Sequence, residues 1–370
     1  MKFLFFGDLC ITASNSESFC LGDKEKIFSN DLLELFKKAD FSCINLESPL
    51  FVEESNPIKK CGPTLGAKKE CINGIASLNP NLVCLANNHI YDYGYSGLTT
   101  TTSELSKKSI SFVGNVVDGK DNPFFVYKDA AILNICENEF SFNFKDKSGA
   151  CCLSNQTFVT IKQLKEKYNK VVVVFHGGTE NFEYPSPNLV DLCHSFADLG
   201  ADLVLCQHSH RIGCFEKYNQ STIVYGQGNF LFDAYSTDDK WTHGLGVIFD
   251  TENDEAEFVV THFKDGKVSL VSDSKKIIED FYSRSNELKN NDYIKKYRRF
   301  CDSRYIKFLC KIRGYSKLRT GLEMYIFKGF FVKKHYSGRK KYVLYDLLNC
   351  EAHQELIKTE LEQDVFDSTK

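Results

Sequence analysis

Residues 170–178 read KVVVVFHGG, a run of β-branched and aromatic side chains that ends in a histidine and two glycines. Five consecutive apolar residues indicate a strand that is buried on both faces, as in a sheet covered by helices. The flanking segments, residues 154–168 and 188–199, have the apolar spacing of amphipathic helices. The stretch therefore predicts a central strand of a mixed α/β protein.

The same alternation of strand and helix extends over residues 1–235. Predicted strands include KFLFFG (2–7), FSCINLESPL (41–50), LVCLA (82–86), ADLVLCQ (201–207) and STIVYGQGNFLF (221–232). Predicted helices include residues 29–38, 68–78 and 97–108. This pattern is typical of a sheet with helices packed on its faces.

The pattern changes near residue 273, after which charged, aromatic and helix-like segments follow with few turn signals. Residues 275–341 contain 20 Lys and Arg but 6 Asp and Glu, a net charge of +14, whereas residues 342–370 carry −5. We therefore predict two domains, residues 1–272 and residues 273–370, the second being basic and mainly helical with an acidic tail. The remaining body carries −12, and such a split indicates an anionic partner for the basic part.

Polar side chains follow five of the predicted strands at the point where each strand ends. Taken singly, each is as readily explained by a turn or by a local hydrogen bond. Ligands of open α/β folds gather outside the carboxyl ends of strands, so we expect these side chains to converge on one site. They are Asp8, Glu47, Asn88 with His89, His176, and His208 with His210.

The chemistry of this set indicates a metal site. Positions i and i+2 of an extended strand face the same side, so the rings of His208 and His210 can approach one centre. Carboxylate, amide and imidazole donors without a thiolate suit Mn, Fe, Zn or Co and do not select among them. Six ligands exceed the needs of one tetrahedral ion and fit two divalent metal ions about 3.5–4 Å apart with one bridging carboxylate.

The order and spacing of these motifs resemble the CapA family of capsule-synthesis and poly-γ-glutamate-biosynthesis proteins, a branch of the calcineurin-like metallophosphoesterase superfamily. The resemblance spans residues 2–250. The motifs that carry it are Gly7-Asp8, Asn45-Leu46-Glu47-Ser48-Pro49, Ala86-Asn87-Asn88-His89, Asp92-Tyr93-Gly94, His176-Gly177-Gly178, Gln207-His208-Ser209-His210 and Tyr225-Gly226-Gln227-Gly228-Asn229.

The resemblance implies a fold and a role for each site residue. The expected fold is a metallophosphoesterase-like α/β/β/α sandwich of two packed sheets, to which this sequence adds a C-terminal helical appendage. By the resemblance, Asp8 and His210 hold one metal ion, and Glu47 bridges to the second. Asn88, His176 and His208 hold that second ion. His89 is then the catalytic residue, as a general acid or as a stabiliser of charge on the phosphoryl oxygens.

The chain departs from the family pattern at three positions. Asp8-Leu9-Cys10 stands where the superfamily's first motif is Asp-x-His, which leaves Cys10 as a weak substitute for the missing ligand. Gly177 follows His176 in place of a tryptophan, and Ser209 replaces the proline between the last two histidines.

The compartment is predicted from what the sequence lacks. The apolar run Phe3–Phe6 is too short for a signal peptide, and no run of 18 apolar residues is present. The fifteen cysteines are scattered through apolar runs, which predicts buried free thiols rather than a disulfide framework. We expect a cytoplasmic protein with peripheral association at the inner membrane surface.

Three functions remain open from the sequence. The first is a metal-dependent phosphoesterase of capsule or surface-polymer biosynthesis that acts on a phosphorylated or anionic substrate. The second is a non-catalytic accessory or binding subunit of a polymer-synthesis complex, and the third is a nuclease or nucleotide phosphodiesterase. Tyr and Phe interleave with Lys and Arg in residues 275–341, which fits a solvated helical face whose aromatic side chains pack on the main domain. The same composition also suits an anionic membrane surface or a polyanionic polymer, and suits nucleic acid less, since no nucleic-acid motif is present.

Overall fold

Two β-sheets packed face to face form the centre of the structure, a computed structural model that describes residues 1–143, 145–233 and 238–365. The strands, in chain order, are β1 (Lys2–Cys10), β2 (Phe41–Leu46), β3 (Leu50–Phe51), β4 (Ala67–Lys68), β5 (Leu82–Cys84), β6 (Ser111–Val113), β7 (Asn115–Val117), β8 (Lys120–Asn122), β9 (Phe124–Tyr127), β10 (Ala130–Cys136), β11 (Phe142–Asn143), β12 (Ser148–Ala150), β13 (Lys170–His176), β14 (Leu203–Gln207), β15 (Phe215–Tyr218), β16 (Ser221–Val224), β17 (Asn229–Phe232), β18 (His243–Asp250), β19 (Glu255–Lys264) and β20 (Lys267–Leu270).

Helices precede, separate and follow these strands. They are α1 (Ser16–Leu21), α2 (Lys24–Ile27), α3 (Asn30–Lys38), α4 (Ile72–Leu78), α5 (Gly94–Lys107), α6 (Asn155–Lys167), α7 (Pro187–Asp198), α8 (Lys275–Lys289), α9 (Tyr293–Ile312), α10 (Lys317–Gly321), α11 (Phe330–His335), α12 (Arg339–Asn349) and α13 (Glu351–Val365).

The first sheet has the order β20-β19-β18-β1-β2-β5-β6, and β17 also pairs with β1. Its strands β1, β2, β5 and β6 run parallel. The second sheet has the order β15-β16-β14-β13-β10-β9, with β10, β13, β14 and β16 parallel. Two smaller sheets, β11-β12-β7-β8 and β3-β4, lie outside this pair.

Strand β13, the KVVVVFH stretch, is buried on both faces as predicted. Val172 and Val174 belong to the apolar cluster shared by the two sheets, together with Phe5 of β1 and Val247 of β18. On the other side of β13, the ring of Phe175 lies 6.1 Å from that of Phe196 in α7. Alternate residues of one strand thus join the sheet–sheet core and the sheet–helix core.

The outer face of the first sheet is covered by α1 to α5. Phe6 of β1 stacks on Phe36 of α3 with ring centroids 5.6 Å apart, and both belong to the same buried cluster as Ile75 and Leu98. Each fully buried aromatic side chain contributes roughly 1.5–3 kcal/mol relative to exposure. The layers are therefore helix, sheet, sheet and helix, and the predicted α/β/β/α sandwich is confirmed.

One predicted strand is in fact two strands in different sheets. Residues 221–232 form β16 in the second sheet and β17 in the first, and the chain crosses between the sheets at residues 225–228. Gly228 has a left-handed φ of 65°, and a Cβ there would lie 2.6 Å from the carbonyl oxygen of His243. The apolar residues on both sides of the crossing resemble one continuous strand in the sequence. Gly226 and Gly228 make the crossing sterically possible because both have positive φ angles.

The chain divides into two compact units, Met1–Tyr293 and Ile294–Lys370. Helix α8, which follows the predicted boundary near residue 273, packs within the first unit. Its Phe281 is fully buried and stacks on Phe215 of β15 at 5.1 Å, and the Arg284 guanidinium donates to the carbonyl oxygen of Gly213. The second unit is built from α9 to α13, and residues 366–370 of the acidic tail lie outside the described residues.

All fifteen cysteines fall within the described ranges and are free thiols, most of them buried, as the sequence predicts. Among the described residues, no helix combines the length and the apolar composition that crossing a bilayer requires.

Candidate metal centre

The sheets bring the predicted site residues to one edge of the sandwich. In the first sheet Asp8 pairs with Asn45 across the parallel strands β1 and β2, and β5 lies beside β2. In the second sheet His176 pairs with Gln207 across the parallel strands β13 and β14. Parallel strands end at the same edge, so the polar residues that follow them meet.

The first group of side chains surrounds the Nε2 atom of His176. This atom lies 3.0 Å from Oδ1 of Asn88, 3.2 Å from Nδ1 of His208 and 3.8 Å from Oε1 of Glu47. The ligand atoms of Glu47, His176 and His208 all lie within 4.8 Å of one another. An amide oxygen, two imidazole nitrogens and a carboxylate thus face one small volume.

The second group consists of Asp8, His210 and Glu47, whose ligand atoms also lie within 4.8 Å of one another. Nδ1 of His210 is 3.6 Å from Oδ2 of Asp8, and its Nε2 is 3.9 Å from Oε1 of Glu47. Glu47 therefore belongs to both groups. The structure brings all six predicted ligands together, and their role in binding metal stays a prediction.

The carboxylate of Glu47 is fully buried, and neither of its oxygens has a hydrogen-bond partner among the described residues. Burial raises the pKa of Glu47 well above its usual value, and the nearby carboxylate of Asp8 adds to the rise. A buried carboxylate without partners is costly to maintain. A cation between the two groups would satisfy it, and the oxygen and nitrogen donors around it suit divalent metals. The residues present therefore fit the metals that the family resemblance implies.

The two histidines after β14 converge for a reason that differs from the predicted one. His208 and His210 do not lie on an extended strand, because β14 ends at Gln207. Both have left-handed backbones, with φ of 76° and 54°, and their ring centroids are 6.0 Å apart. Left-handed non-glycine residues are strained and concentrate at functional sites.

The buried environment favours the neutral form of two imidazoles, those of His176 and His210. Burial, with a smaller contribution from the neighbouring His208, lowers the pKa of His210 to about 3. Burial likewise lowers the pKa of His176 well below its usual value, again with a contribution from His208. Burial raises the pKa of Asp8 to about 6, although hydrogen bonds from Asn45 and from the His208 backbone act against that rise. Neutral imidazoles are the form that binds a metal ion.

The predicted catalytic residue, His89, is buried beside these groups and has two partners that the sequence did not reveal. Its Nδ1 lies 2.7 Å from Oδ2 of Asp92 and 3.2 Å from Nζ of Lys60. Lys60 also forms an ion pair with Asp92, and both side chains are almost completely buried. An ammonium group has only donors, so Asp92 is the acceptor for both neighbours.

Three further side chains position the predicted ligands. Asn45 donates from Nδ2 to Oδ1 of Asp8 at 2.8 Å, and Oδ1 of Asn229 lies 2.9 Å from Nδ1 of His210. Asn88 donates to Glu139 at 3.1 Å, which leaves the Asn88 carbonyl oxygen directed at His176. Asn45 and Asn229 stand inside the quoted motifs, so their sequence signal was present, whereas Glu139 had none.

Cys10, the substitute for the missing histidine, belongs to neither ligand group. It is fully buried, and burial raises the pKa of its thiol well above the usual value, with Glu47 and Asp8 adding to the rise. A protonated thiol is a poor metal ligand. Glu180, in contrast, places a carboxylate oxygen 3.9 Å from Nε2 of His208 at the exposed side of the site.

Known proteins share this sequence pattern. The capsule biosynthesis protein CapA of Bacillus anthracis is 30% identical over 213 residues, covering 53% of this chain and 51% of that protein. The PGA biosynthesis protein CapA of Bacillus subtilis (strain 168) is 26% identical over 209 residues, covering 54% of this chain and 55% of that protein. The chain thus spans about half the length of these curated relatives.

Solved structures give more distant likenesses. A 5'-nucleotidase from Candida albicans is 10% identical over 71% of this chain and 52% of that chain, with a TM-score of 0.39. A protein from Thermus thermophilus is 14% identical over 70% of this chain and 97% of that chain, with a TM-score of 0.38.

The family model described as "Bacterial capsule synthesis protein PGA_cap" matches residues 2–234, which include every predicted metal ligand and His89. The predicted resemblance to the capsule-synthesis family is confirmed, and the chain belongs to the bacterial capsule synthesis protein family PGA_cap.

Proposed function

We propose that this protein is a metal-dependent phosphoesterase with a centre for two divalent ions. The observation that carries the proposal is the Glu47 carboxylate, which is buried without a hydrogen-bond partner among the described residues and shared by the two ligand groups. A purely structural carboxylate of that kind would lower stability without a compensating interaction. A carboxylate between two cations is the usual arrangement in sites that act on phosphoryl groups.

Asn88, His176 and His208 would hold one ion, Asp8 and His210 would hold the other, and Glu47 would bridge them. When bound, such a pair supplies Lewis-acid stabilisation of a phosphoryl group and lowers the pKa of a water molecule. The donor set is compatible with Mn, Fe, Zn or Co.

The chain's own proton chemistry would reside at His89. Asp92 accepts the hydrogen on Nδ1 and so keeps Nε2 as the nitrogen that exchanges a proton with the substrate. The Lys60 ammonium pairs with Asp92 and holds that carboxylate in place. A protonated His89 would then donate from Nε2 to the leaving oxygen as a general acid.

The process that we propose is the biosynthesis of a capsule or of a glutamate polymer. Membership of the PGA_cap family supports it, as do the names of the two Bacillus relatives. The phosphorylated or anionic substrate within that process follows from the site and not from those names, since this chain spans only about half of either relative.

A second candidate is an accessory subunit without catalysis. A relative from Mycobacterium tuberculosis, 25% identical over 182 residues, is named a probable polyglutamine synthesis accessory protein. The absence of the first-motif histidine, with Cys10 in its place, also favours this alternative, because one ion would have fewer ligands. The nuclease alternative has no comparable support.

Metal analysis combined with a phosphoester panel separates these alternatives. The panel contains a monoester, a diester, nucleotides and single-stranded DNA, and the exposed Glu53→Gln variant serves as the matched control for Glu47→Gln. We expect about two metal ions per chain, hydrolysis of a monoester or diester, and loss of both in Glu47→Gln alone. Bound metal without turnover would favour the accessory subunit, turnover restricted to DNA would favour a nuclease, and a metal-free protein would contradict the proposal.

A further inference from the structure

The second unit has a very small apolar core for its size. Between residues 294 and 365, the fully buried apolar cluster consists of Leu309, Cys310 and Val332, with four partly buried neighbours. Many large apolar side chains of the same unit are instead exposed. A unit of this length normally buries most of its large apolar side chains, so an exposed set of this extent marks an interaction surface.

Four of these exposed apolar side chains lie in the segment 318–330, which we name the aromatic turn; others lie in α12 and α13, among them Tyr342 and Leu356. Leu318, Tyr325, Ile326 and Phe330 are 77%, 72%, 65% and 60% exposed. The turn contains a π-helical turn at residues 322–326 and two left-handed residues at 328 and 329.

A buried carboxylate fixes the conformation of the aromatic turn. Glu323 is fully buried and accepts hydrogen bonds from the Arg319 guanidinium and from the Val332 backbone, both at 3.4 Å. The Arg319 guanidinium also lies 5.3 Å from the ring of Phe331. The exposed side chains are therefore presented by a constrained backbone, which lowers the conformational entropy lost on binding.

Helix α9 adds a second exposed apolar stripe. Tyr305, Phe308 and Ile312 have the spacing i, i+3 and i+7, which places them on one helix face, and each is about half exposed. The Lys311 ammonium lies 5.3 Å from the ring of Phe308. Leu309 and Cys310, the two residues that follow Phe308, belong instead to the small buried core.

The same unit is strongly basic. Residues 294–349 contain 16 Lys and Arg but only 3 Asp and Glu. Lys328, Lys333 and Lys334 are exposed and flank Phe330 in the chain. Exposed apolar side chains and positive charge thus occur together in the aromatic turn and in α9.

We propose that the aromatic turn and the α9 stripe bind the surface of an anionic lipid bilayer. Aromatic and aliphatic side chains would enter the boundary between headgroups and acyl chains, while the lysines and arginines contact the anionic headgroups. A polyanionic polymer or nucleic acid would neutralise the charge but leave Leu318 and Ile326 in water. A second copy of the chain would cover the apolar side chains but bring two strongly positive surfaces together.

Vesicle flotation of the full chain tests this proposal with phosphatidylcholine vesicles that contain or lack anionic phosphatidylglycerol as a substantial minor component. We expect binding to the anionic vesicles alone, and weaker binding at high salt as the charges are screened. The variant Tyr325→Ser/Ile326→Ser/Phe330→Ser should lose at least roughly tenfold in partition coefficient even at low salt. The variant Lys328→Glu/Lys333→Glu/Lys334→Glu should lose at least about fivefold for each lysine removed.

Matched controls come from exposed residues of the first unit. Leu21→Ser/Phe124→Ser/Val159→Ser controls for lost apolar area, and Lys24→Glu/Lys38→Glu/Lys108→Glu controls for lost charge. Both should bind the vesicles as the wild type does. Circular dichroism checks the fold of each variant, and Tyr325→Ser alone replaces the triple variant if that variant unfolds.

Three results would overturn the proposal. In the first, the wild type is retained on DNA or polyglutamate yet fails to float with anionic vesicles. In the second, the serine variant binds vesicles as tightly as the wild type. The third result is a dimer in sedimentation velocity that the serine variant converts to a monomer, which would identify a second copy as the partner.

Discussion

The Oε1 atom of Glu47 lies 3.8 Å from Nε2 of His176, and neither oxygen of this buried carboxylate accepts a hydrogen bond from the described residues. The two residues come from different sheets, β2 leading to Glu47 and β13 ending at His176. The site is therefore built across the interface between the two sheets. Its ligand geometry depends on how the two sheets pack against each other.

Glu47→Gln should remove metal binding and stabilise the metal-free protein. The folded-state pKa of Glu47 is raised by burial, so the folded protein binds more protons than the unfolded chain between the two pKa values. Stability consequently falls as pH rises above about 4.5, and the amide avoids that loss. We expect Glu47→Gln to gain on the order of 1 kcal/mol or more over the wild type at pH 8.

Urea unfolding with a chelator present, at pH 5 and pH 8, measures this difference. The gain should shrink toward pH 5, and Glu53→Gln, at an exposed position, should show none. A Glu47→Gln protein less stable than the wild type at pH 8 would argue that the carboxylate has structural partners.

Metal affinity should fall below pH 6. Burial raises the pKa of Asp8 to about 6, so an ion that binds at lower pH must displace a proton from that carboxyl group. His210, with its pKa lowered to about 3, contributes no proton in this range. Affinity should fall by up to about tenfold per pH unit for each proton displaced.

Calorimetric titration with Mn or Zn at pH 5, 6 and 7, in two buffers of different ionisation enthalpy, counts the protons released. Release should increase as pH falls through 6. Equal heats in the two buffers at pH 5 would show that no carboxyl proton is displaced.

His89→Asn should leave metal content intact and lower phosphoester turnover by roughly 10²–10⁴-fold, the range for removal of a general acid. His89 has its Nδ1 against Asp92 and belongs to neither ligand group. Metal analysis and steady-state kinetics on the same preparation make the comparison. Loss of metal in this variant would identify His89 as a ligand.

Lys60→Met should lower turnover with metal content unchanged, because it removes the cation that pairs with the buried Asp92 carboxylate beside His89. A buried carboxylate that loses its cationic partner destabilises the fold by several kcal/mol unless the side chain changes its position. We expect at least a tenfold loss in kcat with little change in KM. Lys59→Met is the matched control, since Lys59 is the adjacent residue and is exposed. An equal effect of both substitutions would assign the loss to the loop and not to the ion pair.

Phe281→Ala should destabilise the first unit by about 3–5 kcal/mol, the usual cost of emptying a buried aromatic site. Phe281 contacts Phe215 and Phe258 at 5.1 and 4.9 Å, so α8 contributes to the core of the sandwich. A chain that ends after residue 293 should fold, whereas one that ends after residue 272 should not. Thermal unfolding measures the stability of the Phe281→Ala variant and of the two shortened chains, with Lys276→Ala at an exposed position as the control. A stable 1–272 fragment would show that α8 is dispensable.

Much of the fold and of the site could be predicted from local sequence. The β-branched run at residues 170–176 predicts a buried strand because a continuous apolar run gives the strand no polar face to turn toward solvent. The six ligands were identifiable because each lies at or shortly after the carboxyl end of a predicted strand, and parallel strands end at one edge. The order of the motifs was enough to indicate the family.

Other features depended on contacts between distant parts of the chain. Lys60 contacts His89 and Asp92, which lie about thirty residues further along the chain, beyond β4, α4 and β5. Nothing in its local sequence distinguishes Lys60 from the exposed Lys59. Helix α8 follows the change to charged sequence near residue 273 and therefore resembles the basic region. Its Phe281 side chain is nevertheless fully buried in the core of the sandwich.

Two further features also depend on contacts between distant parts of the chain. They are the crossing between sheets at residues 225–228 and the left-handed backbones of His208 and His210. Local sequence determines which residues form strands and which polar residues follow them, because those preferences act over a few neighbours. Only the packing of the two sheets decides which of those residues meet, because burial and ion pairing are set by side chains that lie close in space and far apart in the chain.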